Sequence, residues 1–388
     1  MIRVGFVLDL SPAGWLGGFN YYINLISTIN DQKRQVIAPV LFFGKKMDEC
    51  LLSQFSGVEI IRTAALDRWS FIWVARKIIQ RMFNRDFILE RILVKRRIDV
   101  LSHYAGFGLQ KKIKCIFWIP DFQHLHLPQY FSGFEIETRN SRWAKSVSEC
   151  DATIVSSHTA LEDFKKFLPT NSKRKFVLQF AVASFWGKDE LNNIDIRNKY
   201  GIPTRYFYLP NQFWAHKNHR VVIEALAILK KEGRNITVVC TGNTVDSRNL
   251  AYFPNLIKFA GKLNVLENFT ILGVVPFADI QFLMRNAVAV INPSSFEGWS
   301  TTVEEAKSIN KKLLLSDISV HREQNASRVR YFGIADPNML ATFMIESIEE
   351  FDKDKELSLM EQGSLLYDNV RKKFGEDYQK IVQDIYKK

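Results

Sequence analysis

The stretch from Ala287 to Ala306 constrains the fold more than any other part of this chain. Ala287–Asn292 is an unbroken apolar run stopped by Pro293, the pattern of a strand buried on both faces of a parallel sheet. A turn containing Phe296, Glu297, Gly298 and Trp299 follows. Then a helix opens, with Thr301 and Glu304 at capping-box spacing. Strand, turn and helix in that order place Glu297 at the carboxyl end of a strand and Glu305 in the first turns of the helix. In an open α/β sheet that crevice is where ligands bind. Free backbone N–H groups and the positive end of the helix dipole make Trp299, Ser300, Thr301 and Thr302 a natural phosphate seat. The plainer reading is that Glu304 and Glu305 only complement the dipole.

The alternation continues from end to end and predicts an α/β chain of parallel sheets with helices on both faces. In the first half, strands are expected at Arg3–Leu8, Gln35–Phe43, Val58–Ile61, Val100–Ser102, Lys114–Ile119 and Ala152–Ser156, with helices at Gly18–Ile29 and Glu135–Glu149. A polar stretch over 187–198, ending at Gly201 and Pro203, marks a break. A second alternation starts at Tyr206–Leu209. It runs through Asn218–Lys231, Ile236–Thr241, Phe269–Leu272, Phe277–Asn286, Thr301–Ile309 and Lys312–Ser316 to a charged helical tail from Ser358. At 388 residues the chain is too long for one ordinary α/β domain. The expectation is one Rossmann-like domain over 1–200, a second over 201–365, and a terminal helix over 366–388.

Three further stretches carry candidate chemistry. Lys217 lies where the second domain's first strand gives way to its first helix, and can meet a diphosphate as a mobile point charge. Its neighbours His216 and His219 read as structural. Gly17 and Gly18 follow a first strand ending at Asp9 and let backbone approach a phosphate or an acceptor. They lack both the spacing of dinucleotide sites and the lysine of a P-loop. Asp121, His124 and His126 follow the strand that ends at Ile119. As a metal pair His124 and His126 lack a completing Asp, Glu or Cys set, so no metal site is expected.

Glu297 and Glu305, separated by seven intervening residues within F-E-G-x-S-x-x-x-x-E-A, resemble the signature of the retaining sugar-nucleotide glycosyltransferases of family 4, which have the GT-B fold. The resemblance implies two Rossmann-like domains facing a central cleft, with the last helix crossing back onto the first. It implies that Glu297 approaches donor-sugar hydroxyls, that Glu305 holds the nucleotide ribose, and that backbone amides over Gly298–Thr302 bind the diphosphate. Lys217 is similar to the family's phosphate lysine. The companion arginine, about six residues earlier, is Asn211 here, which lowers the charge facing the phosphates by one. Gly17 and Gly18 resemble the first glycine-rich loop. Asp121 matches a His-Asp pair whose histidine position holds Pro120, and His124 is the candidate replacement imidazole. Leu314–Gln324 and Phe332–Pro337 look like the family's closing segment, with a packing strand and turn as the plainer reading.

Composition narrows the partners. The net charge of +12 is concentrated between Arg68 and Arg97, where nine Lys and Arg face only Asp86 and Glu90. Trp69, Phe71, Ile72, Trp73, Ile78, Ile79, Met82, Phe83, Phe87 and Ile88 are interleaved. Such a segment can lie on an anionic membrane surface; the alternative is a core-facing apolar stripe with a solvated basic back. No nucleic-acid-binding motif accompanies the charge. Met1–Leu8 looks like a strand rather than a signal peptide, and no apolar run approaches ~18 residues, so nothing is expected to span a membrane. Cys50, Cys115, Cys150 and Cys240 are far apart in sequence with no C-x-x-C pair, which argues against a disulfide framework and suits a reducing compartment.

With these features, the resemblance implies a retaining, metal-independent glycosyltransferase with no cofactor beyond its donor substrate. The donor is GDP- or UDP-linked, with a tilt towards GDP-mannose-like sugars, and the acceptor is a lipid-linked glycan in surface polysaccharide synthesis of the O-antigen or lipopolysaccharide type. Its expected place is cytoplasmic, peripheral on the inner face of the membrane. The D-x-D at Asp352 and Asp354 reads as a solvated helix face. Two alternatives stand: a sugar-nucleotide epimerase or polymerase of the same architecture, and a non-catalytic partner in polysaccharide assembly, suggested by the missing histidine and arginine.

Overall fold

The computed structural model describes residues 1–8, 16–108, 112–184 and 193–387. Residues 9–15 of the expected glycine-rich loop, and 187–192 of the expected interdomain stretch, lie outside the described residues. The chain divides into two units: Met1–Ala181 with Val370–Lys388, and Val182–Asn369.

In the first unit, β1 (Ile2–Val7), β2 (Ile37–Phe43), β3 (Glu59–Arg62), β4 (Val100–Ser102), β5 (Lys114–Ile119), β6 (Ala152–Val155) and β7 (Arg174–Val177) form one sheet in the order 3-2-1-4-5-6-7. Every pairing is parallel. Its strands are apolar because helices cover both faces: Val4, Phe6, Val40, Phe42, Leu101, Ile116 and Ile154 are all buried. Pro39 is tolerated in β2 because β3 begins to pair only opposite Val40.

The second unit repeats the plan with β8 (Phe207–Leu209), β9 (Val238–Cys240), β10 (Phe269–Ile271), β11 (Val290–Asn292), β12 (Leu313–Ser316) and β13 (Val329–Phe332), again all parallel. The order 10-9-8-11-12-13 is doubly wound. The chain leaves β8 towards one edge and resumes at β11 towards the other, so the carboxyl ends of β8 and β11 flank the topological switch point.

The observed division differs from the expected boundaries at both ends. Residues just after Ala181 pack within the second unit: the Val182 N–H donates to the Tyr367 hydroxyl at 3.2 Å, and Lys199 pairs with Asp279 at 2.7 Å. The last helix, Lys353–Tyr386, is continuous, and from Val370 onward it belongs to the first unit. There the Tyr378 hydroxyl lies 2.8 Å from Ser102 Oγ, and Arg174 pairs with Asp384 at 3.0 Å.

The basic segment is two helices, Phe71–Phe83 and Phe87–Lys95, broken at Asn84 in the left-handed conformation. The first is inverted relative to an ordinary amphipathic helix. Phe71, Val74, Ile78 and Met82, spaced as one stripe, are exposed, Phe71 by 96 %. The inward face instead carries Arg76, only 1 % exposed, ion-paired to the fully buried Asp86 at 2.8 Å. Arg76 also donates to the Ala65 carbonyl and the Tyr104 hydroxyl. In this first helix the core-facing alternative is therefore the wrong way round, and Arg76 is a folding residue rather than a surface charge; the second helix follows that alternative, burying Leu89 and Leu93 and exposing Arg91 and Lys95. Arg85 is engaged too, with Glu90 at 2.7 Å.

Cys115 and Cys150, far apart in sequence, meet with sulfurs 3.0 Å apart, because β5 begins beside the end of the helix Gly133–Glu149. All four cysteines are free thiols.

Candidate functional site

The β8 strand ends at Leu209, and the chain then passes through Asn211 and a single turn, Ala215–Lys217, before the helix His219–Lys231. Asn218 makes the corner with φ of 51°, a left-handed conformation that asparagine tolerates better than most residues. Its side-chain amide donates to the Pro293 and Ile334 carbonyls, which fixes the corner against the loop after β11. The Ser295 N–H reaches the His216 carbonyl at 2.8 Å, a second tie between the two loops. Lys217 Nζ thereby meets Glu297 Oε1 at 2.6 Å, with the two side chains 14 % and 10 % exposed. Burial pushes the Glu297 carboxyl up, but the Lys217 ammonium outweighs it and holds the pKa at about 2. This pair stands at the switch point of the second sheet.

Asn292, the last residue of β11, is the hub beneath it. Its oxygen accepts from Asn211 Nδ2 at 3.0 Å and from the Ser294 hydroxyl at 2.7 Å, and its amide donates to Ser300 Oγ at 2.8 Å. Asn211 is thus buried in a network joining the two strand ends, and its own oxygen accepts from Thr302 Oγ1 at 3.3 Å. Gly242 closes the floor at φ of 140°, where a Cβ would lie 2.5 Å from the Asn211 carbonyl oxygen.

The helix after the turn spans Thr301–Ser308, and its N-cap is Ser300, whose hydroxyl accepts from the Val303 N–H at 3.4 Å. The capping-box reading through Thr301 and Glu304 is therefore shifted by one residue. Glu304 is buried and fully used, accepting from Lys307 at 2.8 Å, Gln324 at 3.0 Å and the Tyr367 hydroxyl at 2.9 Å. Glu305 differs. Among the described residues no donor reaches its carboxyl, and burial raises its pKa to about 8. At the helix end, the Ser300 N–H is taken by Gln324 Oε1 at 3.4 Å, while the Thr301 and Thr302 amides have no acceptor among the described residues. The anion seat is narrower than Trp299–Thr302. Gly298 is half-buried at the turn, and Trp299 is buried.

The remaining candidates belong to the first unit. Gly17 and Gly18 lie inside the helix Leu16–Asn30 rather than in a loop before it. Asp121 Oδ1 accepts from the Gln123 N–H at 2.9 Å and shapes the turn after β5. His124 is fully buried, bonded through Nε2 to Asn140 Oδ1 at 2.8 Å and set edge-on to Trp143. Those are the surroundings of a packing histidine. His126 pairs with Asp163 at 2.8 Å. Among the described residues no group of three His, Cys, Asp or Glu could hold a metal ion, and no helix is long and apolar enough to cross a membrane.

Sequence reading gave no individual role to Asn292, Gly242, His321 or Gln324, although the last two lie in the stretch that resembles the family's closing segment. Only Gly242 carried a local signal, a Thr-Gly-Asn turn directly after an apolar strand.

Residues 192–361 match the family described as Glycosyl transferases group 1. A curated relative, the O-antigen chain mannosyltransferase RfbU of Salmonella typhimurium, is 26 % identical over 180 residues, which cover 46 % of this chain. The chain spans less than half of that protein, 45 % of its length. A glycosyltransferase from Rickettsia africae superposes over 100 % of this chain and 98 % of its own, with a TM-score of 0.67 and 14 % identity. Anabaena Alr3699/HepE, solved in complex with UDP and glucose, superposes over 99 % of this chain and 100 % of its own, with a TM-score of 0.68 and 13 % identity. At these identities the likeness is one of fold, and it agrees with the expected GT-B class of two Rossmann-like parallel-sheet domains.

Proposed function

We propose that this chain, whose residues 192–361 match the Glycosyl transferases group 1 family, is a retaining glycosyltransferase using a nucleotide-diphosphate sugar. The observation that carries the reading is the switch-point constellation: the Lys217–Glu297 pair at 2.6 Å, with the Glu305 carboxyl and two helix-end amides that have no partner among the described residues. A diphosphate offers only acceptors, and Lys217 with the Thr301 and Thr302 amides offers only donors. Glu305 offers acceptors where a ribose brings hydroxyl donors. Glu297 stays ionised beside them as an acceptor for hydroxyls of the sugar.

In the proposed step the bond from the anomeric carbon to the phosphate oxygen breaks, with both electrons going to the phosphate. The acceptor hydroxyl forms the new bond from the same face and passes its proton to the departing phosphate. Lys217 and the helix end stabilise the charge that develops there, a task worth ~2.7–4 kcal/mol per well-placed donor. We assign no divalent ion to this step. Mannose is the leading sugar, on the strength of the relative that is an O-antigen chain mannosyltransferase. The acceptor we favour is a lipid-linked glycan, which requires the protein to sit on the inner membrane face. The outward apolar stripe of Phe71, Val74, Ile78 and Met82, beside exposed Arg68, Arg81 and Arg91, favours that placement.

A panel of UDP- and GDP-linked sugars tests the reading. One donor should raise the melting temperature and be slowly hydrolysed, in excess EDTA as well as without it. Glu297→Gln should chiefly lower turnover, and Glu305→Gln should chiefly raise the donor KM. Epimerisation without acceptor would support the epimerase alternative, and stabilisation without turnover a binding partner. Wild-type kinetics in both folded variants would reject the site.

A further inference from the structure

His321 lies in the short helix Ser319–Glu323, after β12, which is the neighbour of β11. Its ring is 0 % exposed. Nδ1 stands 2.8 Å from the Ser316 carbonyl, and a carbonyl oxygen can only accept, so Nδ1 carries the hydrogen. Nε2 of the neutral ring is then a bare lone pair, and among the described residues it has no partner. The Tyr331 hydroxyl holds the His321 carbonyl at 3.2 Å, and Arg322 pairs with Asp317 at 2.7 Å, so the turn fixes where the ring points. The Ser316 hydroxyl donates to the Ser294 carbonyl, which ties the turn carrying the ring to the loop between β11 and Glu297 at the switch point, and Glu297 and Lys217 both act electrostatically on the ring.

A buried acceptor left without a donor is costly, and native structures rarely keep one without use. Protonation is a poor remedy: burial and the Lys217 ammonium both disfavour the imidazolium, although Glu297 favours it. A diphosphate cannot serve Nε2, because it too is an acceptor. Ribose hydroxyls are matched by Glu305. The remaining source of O–H donors in a nucleotide sugar is the sugar itself. We infer that His321 is a specificity-determining residue whose bare Nε2 accepts a hydrogen bond from a hydroxyl of the transferred sugar, alongside Glu297. The inference rests on the donor reading above.

Two substitutions separate this role from packing. Asparagine can keep the donor to the Ser316 carbonyl while deleting the acceptor, whereas the longer glutamine can return an amide oxygen near the Nε2 position. Affinities for UDP, GDP, UDP-glucose and GDP-mannose are measured by calorimetry, and the tighter nucleotide–sugar pair is followed with its deoxy analogues. His321→Asn should leave the bare nucleotide within about twofold and weaken the nucleotide sugar about tenfold, the scale of one buried hydrogen bond. His321→Gln should recover most of that loss. One deoxy analogue should bind the parent about tenfold more weakly than the full sugar, yet bind His321→Asn no worse. Equal losses for nucleotide and nucleotide sugar would make His321 structural and overturn the inference, as would an unchanged preference among the deoxy analogues. Failure of all four probes to bind the parent protein would instead remove the donor reading and this inference with it.

Discussion

Replacing Glu305 with Gln should stabilise the unliganded protein at alkaline pH and do little in mild acid. Burial raises this carboxyl from its ordinary 4.5 to about 8, and no donor among the described residues offsets it. The unfolded chain gives up the proton near 4.5, whereas the folded protein keeps it until about 8. Stability is therefore lost progressively as pH rises between those values and stays lost above them. Each tenfold change in the proton equilibrium corresponds to about 1.4 kcal/mol, so the dehydrated limit is about 5 kcal/mol. Glu305 keeps partial access to water, which reduces the expected effect to about 1–3 kcal/mol. Glutamine has the shape of the protonated form and no proton to lose. Urea midpoints of parent and variant, compared at pH 5, 6.5 and 8.5 without ligand, should diverge steadily as pH rises. A difference that does not change with pH, or a variant less stable at pH 8.5, would refute the reasoning. The same change should weaken donor binding, so stability and function pull in opposite directions at this residue.

Arg76→Ala should cost ~3–5 kcal/mol in urea unfolding by stranding the buried Asp86 charge, and Arg76→Lys should not restore it, because one ammonium cannot also reach Ala65 and Tyr104 in the guanidinium's geometry; a loss under ~1 kcal/mol would contradict this. Gly242→Ala should lower stability by at least ~2 kcal/mol, since φ of 140° and the 2.5 Å approach to Asn211 both exclude a Cβ; an unchanged melting temperature would show that the loop shifts freely. The protein should sediment with anionic but not neutral vesicles and be released by high salt. Phe71→Ser with Met82→Ser should weaken that binding, and Arg81→Gln with Arg91→Gln should remove ~1 kcal/mol per charge, while nucleotide-sugar hydrolysis is spared. Equal sedimentation of parent and both variants would show that the stripe serves something else.

What the sequence disclosed depended on how local the cause was. The unit from Val290 to Ser308 was readable because an apolar run, a proline, a turn and a cap follow one another directly. Its cap was misplaced by one residue because Ser300, Thr301 and Thr302 are all competent caps, and Asn292 decides among them from the strand behind. Which of Glu304 and Glu305 is free for a ligand was decided by Gln324 and Tyr367, distant partners with no signature of their own. The direction of the basic helix was misleading for the same reason: Asp86 and Tyr104 turn Arg76 inward, so periodicity located the stripe but not the side it faces. The helix Tyr252–Lys262 was missed because Pro254 stands in its first turn, a position a helix tolerates but that reads as a break. Strand β7 was missed because its half-buried Arg-Lys-Phe-Val sequence pairs at a sheet edge and lacks alternation.

The polar groups around the switch point fall into two sets, and the division itself describes the ligand. Asn211, Asn292, Ser300, Glu304 and Gln324 bond to one another or to their neighbours, and substituting them should disturb folding before binding. Lys217 and Glu297 satisfy each other in a pair that an incoming anion can share, because the ammonium has three donors and the carboxylate uses one of them. The Thr301 and Thr302 amides, the Glu305 carboxyl and His321 Nε2 find no partner among the described residues. A molecule that completes this site must accept at the helix end and donate to two separate acceptors. An inorganic anion meets the first demand alone, and a neutral sugar meets only the second. A sugar joined through a diphosphate to a ribose meets both, with hydroxyls at each end and anionic oxygens between them.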